Sequence, residues 1–119
     1  MKRVEEKGKR RQRRKKHIRK TISGTAARPR MTVFRSSRNM YVQVIDDITG
    51  NTIASVSTME KSFKDLKNNV ENAAKIGAEI GARLKAKKIS TVVFDRNGYL
   101  YHGIVKGIAE GARKSGIKF

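Results

Sequence analysis

The sequence contains no cysteine, which excludes disulfide frameworks, thiolate zinc sites and cysteine nucleophiles together. It has no apolar run near the ~18 residues that a membrane-spanning helix needs. Its basic N-terminus lacks the apolar stretch of a secretory signal. That start is Arg-rich, as transit peptides are, yet it holds Glu5 and Glu6 and has no amphipathic spacing, so it reads as part of the working protein. A cytoplasmic chain fits these absences. Acids are scarce too, with none between Lys7 and Asp46. Large aliphatics are nearly missing from the first segment, where only Val4 and Ile18 precede Ile22. A stretch with so little to bury cannot offset its ordering entropy alone, so residues 1–27 are expected to form an arm that is mobile when free.

What the chain has in abundance is positive charge. Its 119 residues carry 29 Lys and Arg against 10 Asp and Glu, a formal net charge of +19. Self-repulsion on this scale contributes nothing to folding and points to a polyanionic partner. The run from Lys9 to Lys20 favours helix by propensity once phosphates neutralise it. Gly24 is placed to end that helix, and Arg28-Pro29 imposes an extended entry to the first strand. The arm has no apolar stripe, so it does not read as a membrane-surface or calmodulin-binding helix.

From Met31 the pattern becomes alternation. Met31–Ser36 and Met40–Asp46 read as strands joined by a short link into an antiparallel hairpin. The segment 47–51 is a turn by its chemistry, and Thr52–Thr58 is a third strand. Asn68, with Glu71 three residues on, resembles a capping box for a helix. Val70, Ala73, Ile76, Gly77, Ile80 and Leu84 fall on one face of that helix. Gly77 and Gly81 weaken it and are expected to allow close approach to the sheet. Thr91–Asp95, the one continuous apolar run, is expected to be a central parallel strand. A last helix starts near Gly103 and stops at Ser115-Gly116. The order is βββαβα after a basic arm: an α/β fold in which residues 28–119 form one globular domain with helices packed on a sheet.

Basic side chains on RNA chiefly meet phosphates, so Lys9, Arg10, Arg11, Arg13, Arg14, Lys15, Lys16, Arg19 and Lys20 are the first candidates for binding. Arg28, Arg30, Arg35 and Arg38 cluster around the ends of the first strand, where planar forks suit phosphate or guanine. Ser36 and Ser37 can add hydroxyl contacts, although both are natural turn residues. Tyr99, Tyr101 and His102 lie just after a tight turn beside Arg96 and offer rings on which unpaired bases stack. One of the two tyrosines is expected to pack inward instead. A metal role for His102 is disfavoured, since His17 is the only other histidine.

Several motifs stand together in the order seen in bacterial ribosomal protein L-eighteen. They are Gly24-Thr25, Arg28-Pro29-Arg30, the runs 33–36 and 41–47, Glu60-Lys61, Asn69-Val70-Glu71 and the block from Phe94 to Gly103. The Phe-Asp-Arg-x-Gly-Tyr-x-Tyr-His-Gly block is the specific part, and the resemblance spans essentially the whole chain. It implies a mixed four-stranded sheet with packed helices. It also implies a structural protein of the large ribosomal subunit that binds 5S ribosomal RNA beside a neighbouring 5S-binding protein. Such a protein helps attach that RNA to 23S ribosomal RNA in the central protuberance. Lys61 and Lys106 join the candidate RNA contacts on this basis. No cofactor, metal or membrane is implied, and the chain is expected to be a monomer when free. The sequence departs from the pattern at Ile104, where arginine is common, at Asn97, where glycine is common, and at Gly107 and Gly111, where alanine is common.

Two rival functions compete with this one. A two-metal nuclease could use Asp46, Asp47, Glu60 and Asp95, but if the second and fourth strands run oppositely their ends lie apart, beyond the ~4 Å of a metal pair. Asp46 and Asp47 read better as turn residues. There is also no nucleophile with a nearby base, no P-loop and no dinucleotide glycine pattern. A DNA-binding protein would share the charge, yet no helix-turn-helix is visible.

Overall fold

A computed structural model describes residues 9, 10, 12–17, 23–36, 39–60, 63, 69–99, 101 and 103–119. Within the arm, residues 9, 10 and 12–17 are helical and are called α1. Strands β1 (Arg30–Arg35), β2 (Met40–Asp46) and β3 (Asn51–Ser57) come next, then α2 (Val70–Ala86), β4 (Val93–Asp95) and α3 (Ile104–Lys114). The sheet order is β3-β2-β1-β4. β1 pairs antiparallel with β2 and parallel with β4, and β2 pairs antiparallel with β3, so the sheet is mixed.

Strand alternation sorts the side chains onto two faces. Met31 and Val33, Met40, Val42 and Val44, and Ala54 and Val56 are buried on one of them. Against this face packs α2 with Ala73, Ile76, Ile80 and Leu84, and α3 adds Val105, Ile108 and Ala112 to the same core. Thr32, Phe34, Tyr41, Gln43 and Ile45 occupy the other face, which α2 and α3 leave open.

Three local expectations change. The N-cap of α2 is Asn69, whose side chain accepts from Asn72 N. Glu71 is therefore one position too early to close a capping box. Asn68 lies outside the described residues. The glycines of α2 serve α3, not the sheet. A Cβ on Gly77 would stand 2.1 Å from Ile108 O, and one on Gly111 of α3 would stand 2.2 Å from Ala74 O. Backbone meets backbone along this seam, which no side chain would permit.

The run 91–95 is also not central. β4 is a three-residue edge strand. It is apolar because the chain end covers it: Lys118 N donates to Ser90 O, Val92 N donates to Lys118 O, and Phe119 stacks on Phe94 at 5.4 Å. Gly24 is buried beside β2, where a Cβ would meet Arg30 N at 2.3 Å. Its backbone exchanges bonds with Asp47, whose N–H donates to Gly24 O while Asp47 Oδ2 accepts from Gly24 N.

The opposite edge, β3, is closed by side chains. Lys87 Nζ donates to Ile53 O, Arg83 Nη1 to Ser55 O, and Ser57 N donates to Glu60 Oε2. Open strand edges invite pairing with other chains, and these contacts occupy the groups that would do it.

Candidate nucleic-acid interface

The arm helix α1 lies over the open face of the sheet. Arg14 Nε donates to Gly98 O at 2.8 Å, and Lys15 lines a groove of about 430 Å³ together with Thr32, Phe34, Tyr41, Gln43 and Ile45. Lys9, Arg10, Arg13 and Lys16 are exposed. The helix thus divides its cations: Arg14 and Lys15 turn toward the domain, and the rest present charge to solvent. Such a row is competent to meet a phosphate backbone. Arg11, Arg19, Lys20, Ser37, Arg38, Lys61 and His102 lie outside the described residues.

Arg28 is exposed, with its backbone N–H donating to Thr25 Oγ1. Arg35 is also exposed, and its guanidinium sits 5.7 Å from the centre of the Tyr99 ring. Lys106 is exposed and 3.9 Å from Glu110. These three keep charge at the surface.

Arg30 does not. Only 9% exposed, it donates two bonds to Asp47 and one, of 2.7 Å, from Nη1 to Asp95 Oδ2. Hydrogen bonding to Asp47 raises its pKa further, against the opposing effect of burial. Its fork is spent inside the protein, so the reading of Arg30 as an RNA contact is corrected: the strand pairing carries it inward between two carboxylates. The same contact corrects the separation expected of the acids. β4 is so short that Asp95 and Asp47 converge, but on a guanidinium and not on an open cation site. Asp46 is a turn residue, accepting from Ile48 N and Thr49 Oγ1.

Tyr99 is the tyrosine that packs inward. It lies against the core, 6.5 Å from Phe34 edge to face, and its hydroxyl donates to Arg35 O. Its ring buttresses the end of β1, which removes it as a free stacking platform. Tyr101 is 40% exposed, set edge-on to Phe94, and its hydroxyl accepts from Arg113 Nη1. Arg96 is half-buried and closes its own turn through Nη1 to Tyr99 O. The Ser36 hydroxyl accepts from Asn39 N, a turn role. Sequence reasoning missed Phe34, Tyr41 and Gln43 on the open face and Arg113 beside Phe119. The alternation that buries Met31 and Val33 was the signal for the first set, because it sends Thr32 and Phe34 the other way.

Comparison with known proteins adds the family. The model described as "Ribosomal L18 of archaea, bacteria, mitoch. and chloroplast" matches residues 5–119. The chain belongs to the ribosomal L18 family. Similar relatives include the "Large ribosomal subunit protein uL18" of Treponema denticola, 66% identical over 114 residues, covering 96% of this chain and 95% of that protein. The protein of the same name from Treponema pallidum is 59% identical over 119 residues, covering 100% and 99%. That of Lysinibacillus sphaericus is 54% identical over 109 residues, covering 90% and 92%. In this ribosomal L18 family member Ile104 is buried and joins the core, so the arginine that the motif implied there is replaced by a packing residue.

Proposed function

We propose that this chain is a structural protein of the large ribosomal subunit that binds 5S ribosomal RNA and helps attach it to 23S ribosomal RNA, beside a neighbouring 5S-binding protein. Family membership supports this reading, and with it the cytoplasmic ribosome as the place of work. The observation that carries it is the position of α1, which sets a row of exposed cations along the open side of the sheet. Residues 1–27 supply strength, because flexible cations meet any phosphate backbone. RNA phosphates neutralise the repulsion among the cations of α1 and so favour its helix. Residues 28–119 supply selectivity, because donors held at fixed separations discriminate between RNA shapes.

The test compares 5S ribosomal RNA, transfer RNA and duplex DNA of similar length at physiological salt. Preference for 5S RNA by about tenfold or more is expected, since specific complexes exceed non-specific ones by at least that margin. Equal affinity for all three would reduce the chain to a general polyanion binder.

A further inference from the structure

Two features of the groove between α1 and the open sheet face point to a ligand. Phe34 is 45% exposed in the middle of a ring cluster, with Tyr41 5.6 Å away and tilted by 56°. Beside it, Thr32 Oγ1 is shut off from solvent and has no hydrogen-bond partner among the described residues. Buried hydroxyls are nearly always satisfied, so an orphan of this kind marks a place where a partner is missing. Thr32 pairs in register with Gln43, and Phe34 with Tyr41, so a ring surface and two polar groups lie side by side on one flat floor. Lys15 stands at the rim.

We propose that this groove takes one unstacked nucleobase of the bound RNA. The base lies on Phe34, its polar edge faces the Gln43 amide and, with a small opening of the groove, Thr32 Oγ1, and its flanking phosphates meet Lys15 and the exposed cations of α1. This rests on the RNA-binding reading given above. An apolar side chain of a protein partner would cover Phe34 but leave Thr32 unsatisfied, and its backbone would gain nothing from the cations. A nucleotide meets all three demands: flat π-surface, hydrogen-bonding edge and negative charge. Thr and Gln can each donate or accept, so the groove selects an unpaired base without fixing which one.

The experiment uses the full chain with two probes, 5S ribosomal RNA and a fully paired RNA duplex of matched length. Phe34→Leu keeps apolar bulk and removes the π-face. It is expected to weaken the 5S complex about tenfold, in the range of a lost base–ring stack, while duplex affinity and salt slope stay at the parent's values. Phe34→Tyr restores the ring and the affinity. Thr32→Val removes the orphan hydroxyl, so it is expected to raise the melting temperature of the free protein yet weaken the 5S complex. A merely structural role does not produce that opposition. If the parent prefers 5S RNA but Phe34→Leu and Thr32→Val, folded by circular dichroism, bind it as the parent does, the groove proposal is overturned and the RNA-binding reading stands. A parent without any preference for 5S RNA overturns the underlying reading itself.

Discussion

Replacing Arg30 with alanine separates a structural cation from an RNA contact. Asp95 is fully buried, and its Oδ2 takes the 2.7 Å bond from Arg30, while its Oδ1 accepts from Asn97 N. Asp47, with 27% of its side chain exposed, can rehydrate. The cost therefore falls mainly on Asp95, a buried charge that loses the Arg30 guanidinium. Breaking such a buried pair costs about 3–5 kcal/mol. The low end applies here because Asn97 still bonds the carboxylate. At roughly 4–8 °C per kcal/mol for a domain of this size, the melting temperature falls by about 12 °C or more. Arg30→Lys keeps the charge without the fork and falls in between. Adding Asp95→Asn to Arg30→Ala recovers part of the loss, because the charge that suffers is gone. Thermal unfolding tracked by circular dichroism reads the first effect, and RNA titration across salt at low temperature reads the second. The salt slope of the folded variant is expected to match the parent's. A variant that melts within about 2 °C of the parent but loses one phosphate's share of the slope would refute the internal role of Arg30.

Removing residues through Lys20 is expected to flatten the salt dependence of RNA binding: if the arm neutralises about six phosphates, the slope of log K on log salt shrinks by about 5. Gly111→Ala is expected to destabilise the domain by about 1–3 kcal/mol in urea unfolding, because its Cβ meets the backbone oxygen of Ala74. Gly107→Ala meets Ala73 Cβ at 3.0 Å and Val70 O at 3.1 Å, so its cost is smaller and offset by helix propensity. Glu60 has its pKa lowered from 4.5 chiefly by its hydrogen bond to Arg83. Its contribution to stability is thus complete above 4.5 and lost as pH falls through the lower folded value. Both side chains are about one-third exposed, so the effect is small; Glu60→Gln is expected to reduce the loss of stability between neutral and acid pH, seen in melting temperature against pH.

Much of the fold was legible because it depends on local periodicity. Alternation in 31–35 and 40–46 gave the hairpin, and the apolar spacing from Ala73 to Leu84 gave the buried face of α2. The excess of cations marked a polyanion partner, since charge composition needs no coordinates. The fate of individual side chains was decided only in three dimensions. Arg30 looks like its neighbours Arg28 and Arg35 in sequence, and it became an internal cation because β1 lies between Asp47 and the end of β4. Tyr99 and Tyr101 are two residues apart, yet one braces Arg35 and the other remains exposed. The glycines of α2 and α3 announce a close approach, but only the packed helices say to what. Periodicity fixes which face a residue occupies within its own element. What stands opposite that face comes from elements distant in sequence, and no local pattern encodes it.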